Sequence, residues 1–198
     1  GSQPYDKNTS IEISLALEGF NQSAPFMISS LGRYIHTDSP TNLTIKDGVG
    51  GGSVNARGMY NGYGNGGDNV ASAKLTINGG TFNAKGSNGG AAIFNYGTAE
   101  VNAGTFTSIG GYSLNNQAGA SMTIAAGVTA NNGIYASNAT LVVNGGEING
   151  NRSGCHVLYA WNSNVTIAGG TFHNNNSGNS TTMAGGTTKL TINGGTFS

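Results

Sequence analysis

The chain has 198 residues and a mass of 19.9 kDa, the size of one domain. Only 8% of its residues are charged, and eight acids balance eight bases, so it has neither a basic footprint for nucleic acid nor a basic stripe for anionic lipid. Leu, Ile, Val and Phe fall just under the ~20% at which disorder becomes a concern, but a net charge of zero lacks the self-repulsion of a disordered chain. Glycine supplies 35 residues without a three-residue period, and only three prolines occur, which excludes collagen. No apolar run approaches the ~20 residues of a membrane-spanning helix. A single cysteine, Cys155, rules out an intrachain disulfide and a thiolate metal site.

Taken in chain order, Gly1 and Ser2 read as a tag scar. Residues 3–41 follow a pattern of their own. Ile11 to Leu17 alternates apolar with small or polar residues and predicts a strand, and Ala24 to Leu31 is a second apolar stretch. A solenoid needs its open core and edge covered, so this segment is expected to be an N-terminal cap or the first irregular coils. Residues 42–198 form a repeat array that ends inside a repeat, as an array truncated at its C-terminus would.

The repeats decide the fold. Leu75-Thr-Ile-Asn-Gly-Gly-Thr-Phe82 recurs as Ala99 to Phe106, Met122 to Val128, Leu141 to Ile148, Val165 to Phe172 and Leu190 to Phe197, with a weaker copy at Leu43 to Val49. With Ile77, Val101, Ile124, Val143, Ile167 and Ile192 as the common position, the spacings are 24, 23, 19, 24 and 25 residues. Within each copy the alternation has period two, so Leu75 and Ile77 point one way and Thr76 and Asn78 the other. Gly-Gly then permits a sharp corner, after which Phe turns back inside. A shorter extended piece, such as Ala91 to Asn95 or His156 to Ala160, precedes each copy. Such a unit buries no core alone. Stacked in parallel at ~4.8 Å per coil, it builds one column of Ile and a second of Phe82, Phe106, Ile148, Phe172 and Phe197. The predicted fold is all-β, a parallel β-helix of about five to seven coils, right-handed by the general preference of parallel crossovers.

This pattern, Leu/Val-Thr-Ile-x-Gly-Gly-Thr-Phe every two dozen residues, resembles the right-handed parallel β-helix of the pectin-lyase-like superfamily. More narrowly it resembles the Gly/Asn/Thr-rich coils of secreted and cell-surface bacterial proteins, large adhesins among them. The resemblance implies an extracellular location at the bacterial surface and a role in adhesion. It names the fold more specifically than the function.

Enzymes on this fold use clustered carboxylates with Arg, Lys or His, for Ca²⁺ and proton abstraction or for paired-acid hydrolysis. The acids here are Asp6, Glu12, Glu18, Asp38, Asp47, Asp68, Glu100 and Glu147. In repeat register Glu100 precedes the common position by one and Glu147 follows it by four, which puts them on different faces. A polysaccharide lyase or hydrolase would need Asp38, Asp47 or Asp68 to meet Arg33, Arg57 or His36 in a groove. The glycine-rich runs 48–52 and 61–67 lack the Lys-Ser/Thr and helix of a phosphate loop. His36, His156 and His173 have no ligand spacing, so no metal and no cofactor are expected. The Thr file of residues 76, 123, 166 and 191 raises ice binding, but Glu100 and Val142 interrupt it and no second Thr file is apparent beside it.

The aromatic residues carry the binding expectation. Tyr135 and Tyr159 share an offset eight residues before the common position, with Ile93 at that offset in an earlier coil, and Trp161 lies two residues beyond Tyr159. If Ile134 and Leu158 point inward, Tyr135, Tyr159 and Trp161 form an outward patch suited to sugars or protein. The opposite parity puts both tyrosines in the core. The stretch from Met59 to Tyr63, with Tyr60 and Tyr63, is a candidate contact loop, since long insertions on solenoids gather on a binding face. The expected function is therefore a non-enzymatic, monomeric binding module. It would recognise a host glycoprotein, an immunoglobulin-like protein or a glycan through a lateral face or the inter-coil loops. A polysaccharide-degrading fragment and a passive stalk are the alternatives.

Overall fold

A computed structural model describes residues 10–14, 27–37, 42–48, 50–63, 71–87 and 89–198; for 10–14 and 27–37 only the backbone is described. The winding opens with β1 (Ser10–Ser14), β2 (Met27–Thr37), β3 (Asn42–Lys46), β4 (Ser53–Asn61), β5 (Lys74–Ala84) and β6 (Ile93–Asn95). It continues through β7 (Thr98–Ser108), β8 (Leu114–Asn116), β9 (Ser121–Ala130), β10 (Ile134–Ser137), β11 (Thr140–Val143) and β12 (Glu147–Asn149). The later coils contain β13 (Leu158–Trp161), β14 (Asn164–Ile167), β15 (Thr171–His173), β16 (Thr182–Gly185), β17 (Lys189–Ile192) and β18 (Thr196–Phe197). No helix occurs among the described residues. Every strand pairing is parallel and joins a strand to its counterpart one coil away, so the chain is a parallel β-solenoid of about six turns.

Register resolves three faces. The repeat sheet stacks Ile13, Ile45, Ile77, Val101, Ile124, Val143, Ile167 and Ile192, the common position read from the sequence. The phenylalanine sheet stacks Ile28, Val54, Phe82, Phe106, Ala130, Ile148, Phe172 and Phe197. A lateral sheet stacks Ile35, Met59, Ile93, Leu114, Ile134, Leu158 and Thr182. The inward columns of the inner coils are fully buried and form one continuous core. Phe82 stacks on Phe106 at 4.9 Å and Phe172 on Phe197 at 4.8 Å, so the rings repeat with the coil spacing.

β1 and β2 pair in register with β3 and β4 and so carry the ladders toward the N-terminus. The rest of residues 1–41, read as tag scar and cap, lies outside the described residues. The glycine corner bends the chain as expected: it separates β11 from β12, β14 from β15 and β17 from β18, while β5, β7 and β9 continue around it with register shifts that restore inward Phe82 and Phe106 after the alternation slips. Gly104 sits there at φ 129°, and a Cβ would lie 2.9 Å from the Gly80 carbonyl oxygen, so glycine is needed for conformation and for space.

A polar ladder runs inside the lateral sheet. Asn61 donates to Asn95 Oδ1 at 2.8 Å, and Asn95 donates to Asn116 Oδ1 at 2.8 Å, all three fully buried. The same amides reach corner carbonyls: Asn61 to Thr98, Asn95 to Ser121 and Asn116 to Thr140. Stacked asparagines thus satisfy one another and the corner backbone, and no buried side-chain polar atom among the described residues lacks a partner.

Phe106→Ala removes a fully buried ring that stacks on a neighbour, and is expected to cost about 3–5 kcal/mol in urea unfolding. Asn95→Ala removes one partner of the Asn61 amide and the donor to Asn116 Oδ1, with an expected loss of about 1–3 kcal/mol in the same measurement.

Candidate functional site

The lateral sheet presents the only concentration of aromatic side chains facing outward among the described residues. Ile134, Ala136, Leu158 and Ala160 are buried, so Tyr135, Tyr159 and Trp161 point away from the core, which decides the parity left open by the sequence. Tyr135 and Tyr159 are register partners, and their rings stack at 5.0 Å with planes 1° apart. Trp161 pairs with Ser137 on one side and Gly185 on the other, and is 41% exposed.

The offset that grouped Ile93 with these tyrosines is corrected by the register. Ile93 pairs with Leu114 and, through it, with inward Ile134; the counterparts of Tyr135 are Asn115 and Phe94. The corner between the lateral and repeat sheets varies in length, so counting back from the common position slips by one residue. The contact loop expected at residues 59–63 is also corrected. Met59, Tyr60 and Asn61 belong to β4, with Met59 and Asn61 buried and Tyr60 facing outward. Tyr60 stacks on Phe94 at 4.5 Å, and Tyr63 and Tyr96 lie 5.0 Å apart beside it. The lateral face thus carries two aromatic groups, Tyr60–Tyr63–Phe94–Tyr96 and Tyr112–Tyr135–Tyr159, with Asn115 in the file between them.

Tyr112, Phe94 and Tyr96 escaped the sequence reading. Tyr112 lies before β8 rather than on a strand, so no alternation marks it. Its hydroxyl accepts the His156 backbone N–H at 3.2 Å, and its ring lies 5.4 Å from Tyr135 and 6.4 Å from Tyr159, buttressing that pair. His156 in turn accepts the Ser180 N–H on Nδ1 at 3.0 Å and stacks near Tyr159 at 5.9 Å.

The described acids are held apart from this face. Asp47 accepts the Gly50 and Gly52 N–H groups at 2.9 Å each, closing a turn. Glu100 pairs with Lys74 at 3.0 Å on the repeat sheet, whereas Glu147 accepts from Asn149 at 2.8 Å on the phenylalanine sheet. Asp38 and Asp68 lie outside the described residues, as do the side chains of Arg33 and His36. No group of three or more His, Cys, Asp or Glu is poised to hold a metal among the described residues. Cys155 is buried, with the Arg152 guanidinium 3.4 Å from its sulfur. A second Thr file, absent from the sequence reading, runs along the neighbouring phenylalanine sheet as Thr81, Thr105, Thr129, Thr171 and Thr196, with Glu147 interrupting it.

Compared with protein-family models, with curated proteins and with solved structures, the chain finds no match. The functional reading therefore rests on the geometry of the lateral face.

Burial pushes the Tyr112 phenol from the ordinary 10.0 up to about 12, with the His156 N–H pulling the other way, and burial also raises Tyr96. Because the folded value lies above the unfolded one, the stability tied to neutral Tyr112 is complete below about pH 10 and is lost as pH rises toward about 12. An ultraviolet titration is expected to show a last phenol ionising near pH 12 as the fold weakens, and Tyr112→Phe to delete that step and flatten the alkaline fall in stability.

Proposed function

We propose that this protein is a non-enzymatic binding module of the bacterial cell surface, built on a right-handed β-helix of the pectin-lyase-like kind and acting in adhesion as a monomer. The observation that carries the proposal is the outward aromatic file of the lateral sheet, where Tyr60, Tyr135 and Tyr159 occupy one register line with Trp161 alongside, while Phe94 on the same line is buried. Partly exposed tyrosine and tryptophan offer apolar area with little rotamer entropy to lose, which is why they dominate recognition surfaces. The partner is an extracellular molecule, a host glycoprotein, an immunoglobulin-like protein or a glycan, laid along the solenoid axis.

A glycan array together with a panel of purified serum glycoproteins, immunoglobulin included, tests this reading. The wild-type chain is expected to be retained by at least one of them. The double variant Tyr135→Ser/Tyr159→Ser should weaken retention by about tenfold or more, while Thr123→Ala on the repeat sheet leaves it unchanged. Empty results on both panels would leave a passive spacer and overturn the binding role.

A further inference from the structure

Trp161 stands apart from the other aromatic residues of the lateral face. Tyr135 and Tyr159 turn their ring faces toward each other, and Tyr60 and Phe94 do the same at 9°. The faces that a ligand would stack on are thus largely taken by neighbours. Among the described residues, Trp161 meets no other aromatic ring. Its neighbours along the file are Ser137 and Gly185, too small to cover an indole. The ring leans over Gly185: a Cβ built there would lie 2.3 Å from Cζ3 and 2.5 Å from Cε3, so its position depends on that glycine.

Two exposed asparagines lie at the coil corners next to Trp161 in sequence and register. Asn138 follows Ser137 and Asn162 follows Trp161, at φ 52° and 49°, each turning the chain at the corner of its coil. The Asn138 N–H donates to the Trp161 carbonyl at 2.9 Å and the Asn162 N–H to that of Gly185 at 3.2 Å, so both corners are fixed by the ladder. Asn138 spends its Nδ2 on Ser137 Oγ, whereas Asn162 accepts the Thr187 N–H on Oδ1. Among the described residues this leaves the Asn138 amide oxygen and the Asn162 amide nitrogen without a protein partner. One acceptor and one donor are therefore offered to solvent by residues one position along the ladder from Trp161 and its register partner Ser137. The strands β6, β8, β10, β13 and β16 contain no Asp, Glu, Lys or Arg.

From this juxtaposition we infer that Trp161, with Asn138 and Asn162, is a subsite for a sugar ring of a neutral glycan; the inference rests on the binding role proposed above. A pyranose presents C–H groups on its face and hydroxyls around its rim. The indole meets the first through the attraction between aromatic π electrons and C–H groups, and the paired amides meet the second. A charged glycan would find no counter-charge on these strands and would lose hydration without return. A protein partner of ordinary size would draw on charged and Arg contacts at its rim, which these strands do not offer.

Trp161 is the single tryptophan of the chain, so its fluorescence reports on this subsite alone. The probes are soluble neutral polysaccharides (a β-glucan, a mannan and a galactan), with polygalacturonate and heparin as charged controls. At least one neutral polymer is expected to shift the Trp161 emission and to protect it from acrylamide, while the charged controls do neither. Affinity chromatography on that polymer should show Kd raised about tenfold by Trp161→Ala. Trp161→Tyr should recover part of the loss, and Gly185→Ala, which keeps the tryptophan but displaces its ring, should weaken binding too. If a partner from the broader panels binds and depends on Tyr135 and Tyr159 while Trp161 emission and Trp161→Ala affinity stay unchanged, the subsite is refuted and the binding role stands. If neither the neutral polymers nor those panels are bound, both fall.

Discussion

Everything in this protein follows from one constraint: in a parallel ladder, the neighbour of each residue is the residue at the same position one coil away, at ~4.8 Å. An apolar side chain is therefore covered best where its counterpart is apolar too, which is why Ile, Val, Leu and Phe, with Met and Ala, fill the inward columns of the inner coils. A buried amide needs a partner in a neighbouring coil: another amide links Asn61, Asn95 and Asn116, and a backbone carbonyl serves Asn116 and Asn132. A charge meets its own kind unless the neighbouring position differs. Like charges that close repel by about 1 kcal/mol even in water and more at a half-buried surface. The scarcity of charge is the sequence-level image of that rule, and Lys74 beside Glu100 is a permitted exception, opposite in sign and one coil apart.

Outside the core the same constraint shapes what the surface can offer. Aromatic residues at one lateral position in consecutive coils have to stack, and Tyr135 on Tyr159 does so with nearly parallel planes. Stacking fixes their rotamers and leaves ring edges and hydroxyls outward. An open aromatic face needs a break in the column, and Ser137 and Gly185 supply one on either side of Trp161. Recognition on a solenoid thus depends on irregularity, because the regular positions are already satisfied by their neighbours.

Legibility in the sequence followed the same division. The repeat and phenylalanine columns were readable because a nearly constant Asn-Gly-Gly-Thr segment separates them, so counting residues locates Phe82, Phe106, Ile148 and Phe172 without ambiguity. The lateral column was not, because its link to the next repeat strand changes length. Phe94 precedes Val101 by seven residues, Asn115 precedes Ile124 by nine, and Tyr135 precedes Val143 by eight. That variation placed Ile93 among the outward tyrosines when it belongs in the core. Polar core positions were harder still. Asn61 followed by Gly62 has the look of a loop, and only the alignment with Asn95 and Asn116 shows it to be a ladder rung. Tyr112 carried no signal, since its role depends on reaching His156, two coils away along the ladder.

Separating scaffold from surface has a consequence for function. The inward columns and the coil-to-coil hydrogen bonds hold each strand whatever its outward residues are, as the lateral file shows by carrying Tyr, Phe, Asn, Tyr, Tyr and Met in successive coils on one unbroken ladder. Such a surface changes its chemistry one coil at a time without loss of register. Catalysis asks for more, because it needs several charged groups brought within hydrogen-bond reach of one atom. Here Glu100 and Glu147 stand on different sheets and Asp47 is bound into its own turn, so the described carboxylates act singly. Binding asks only for side chains held on a stiff backing, and a solenoid face can offer them wherever an outward column is broken, as it is around Trp161.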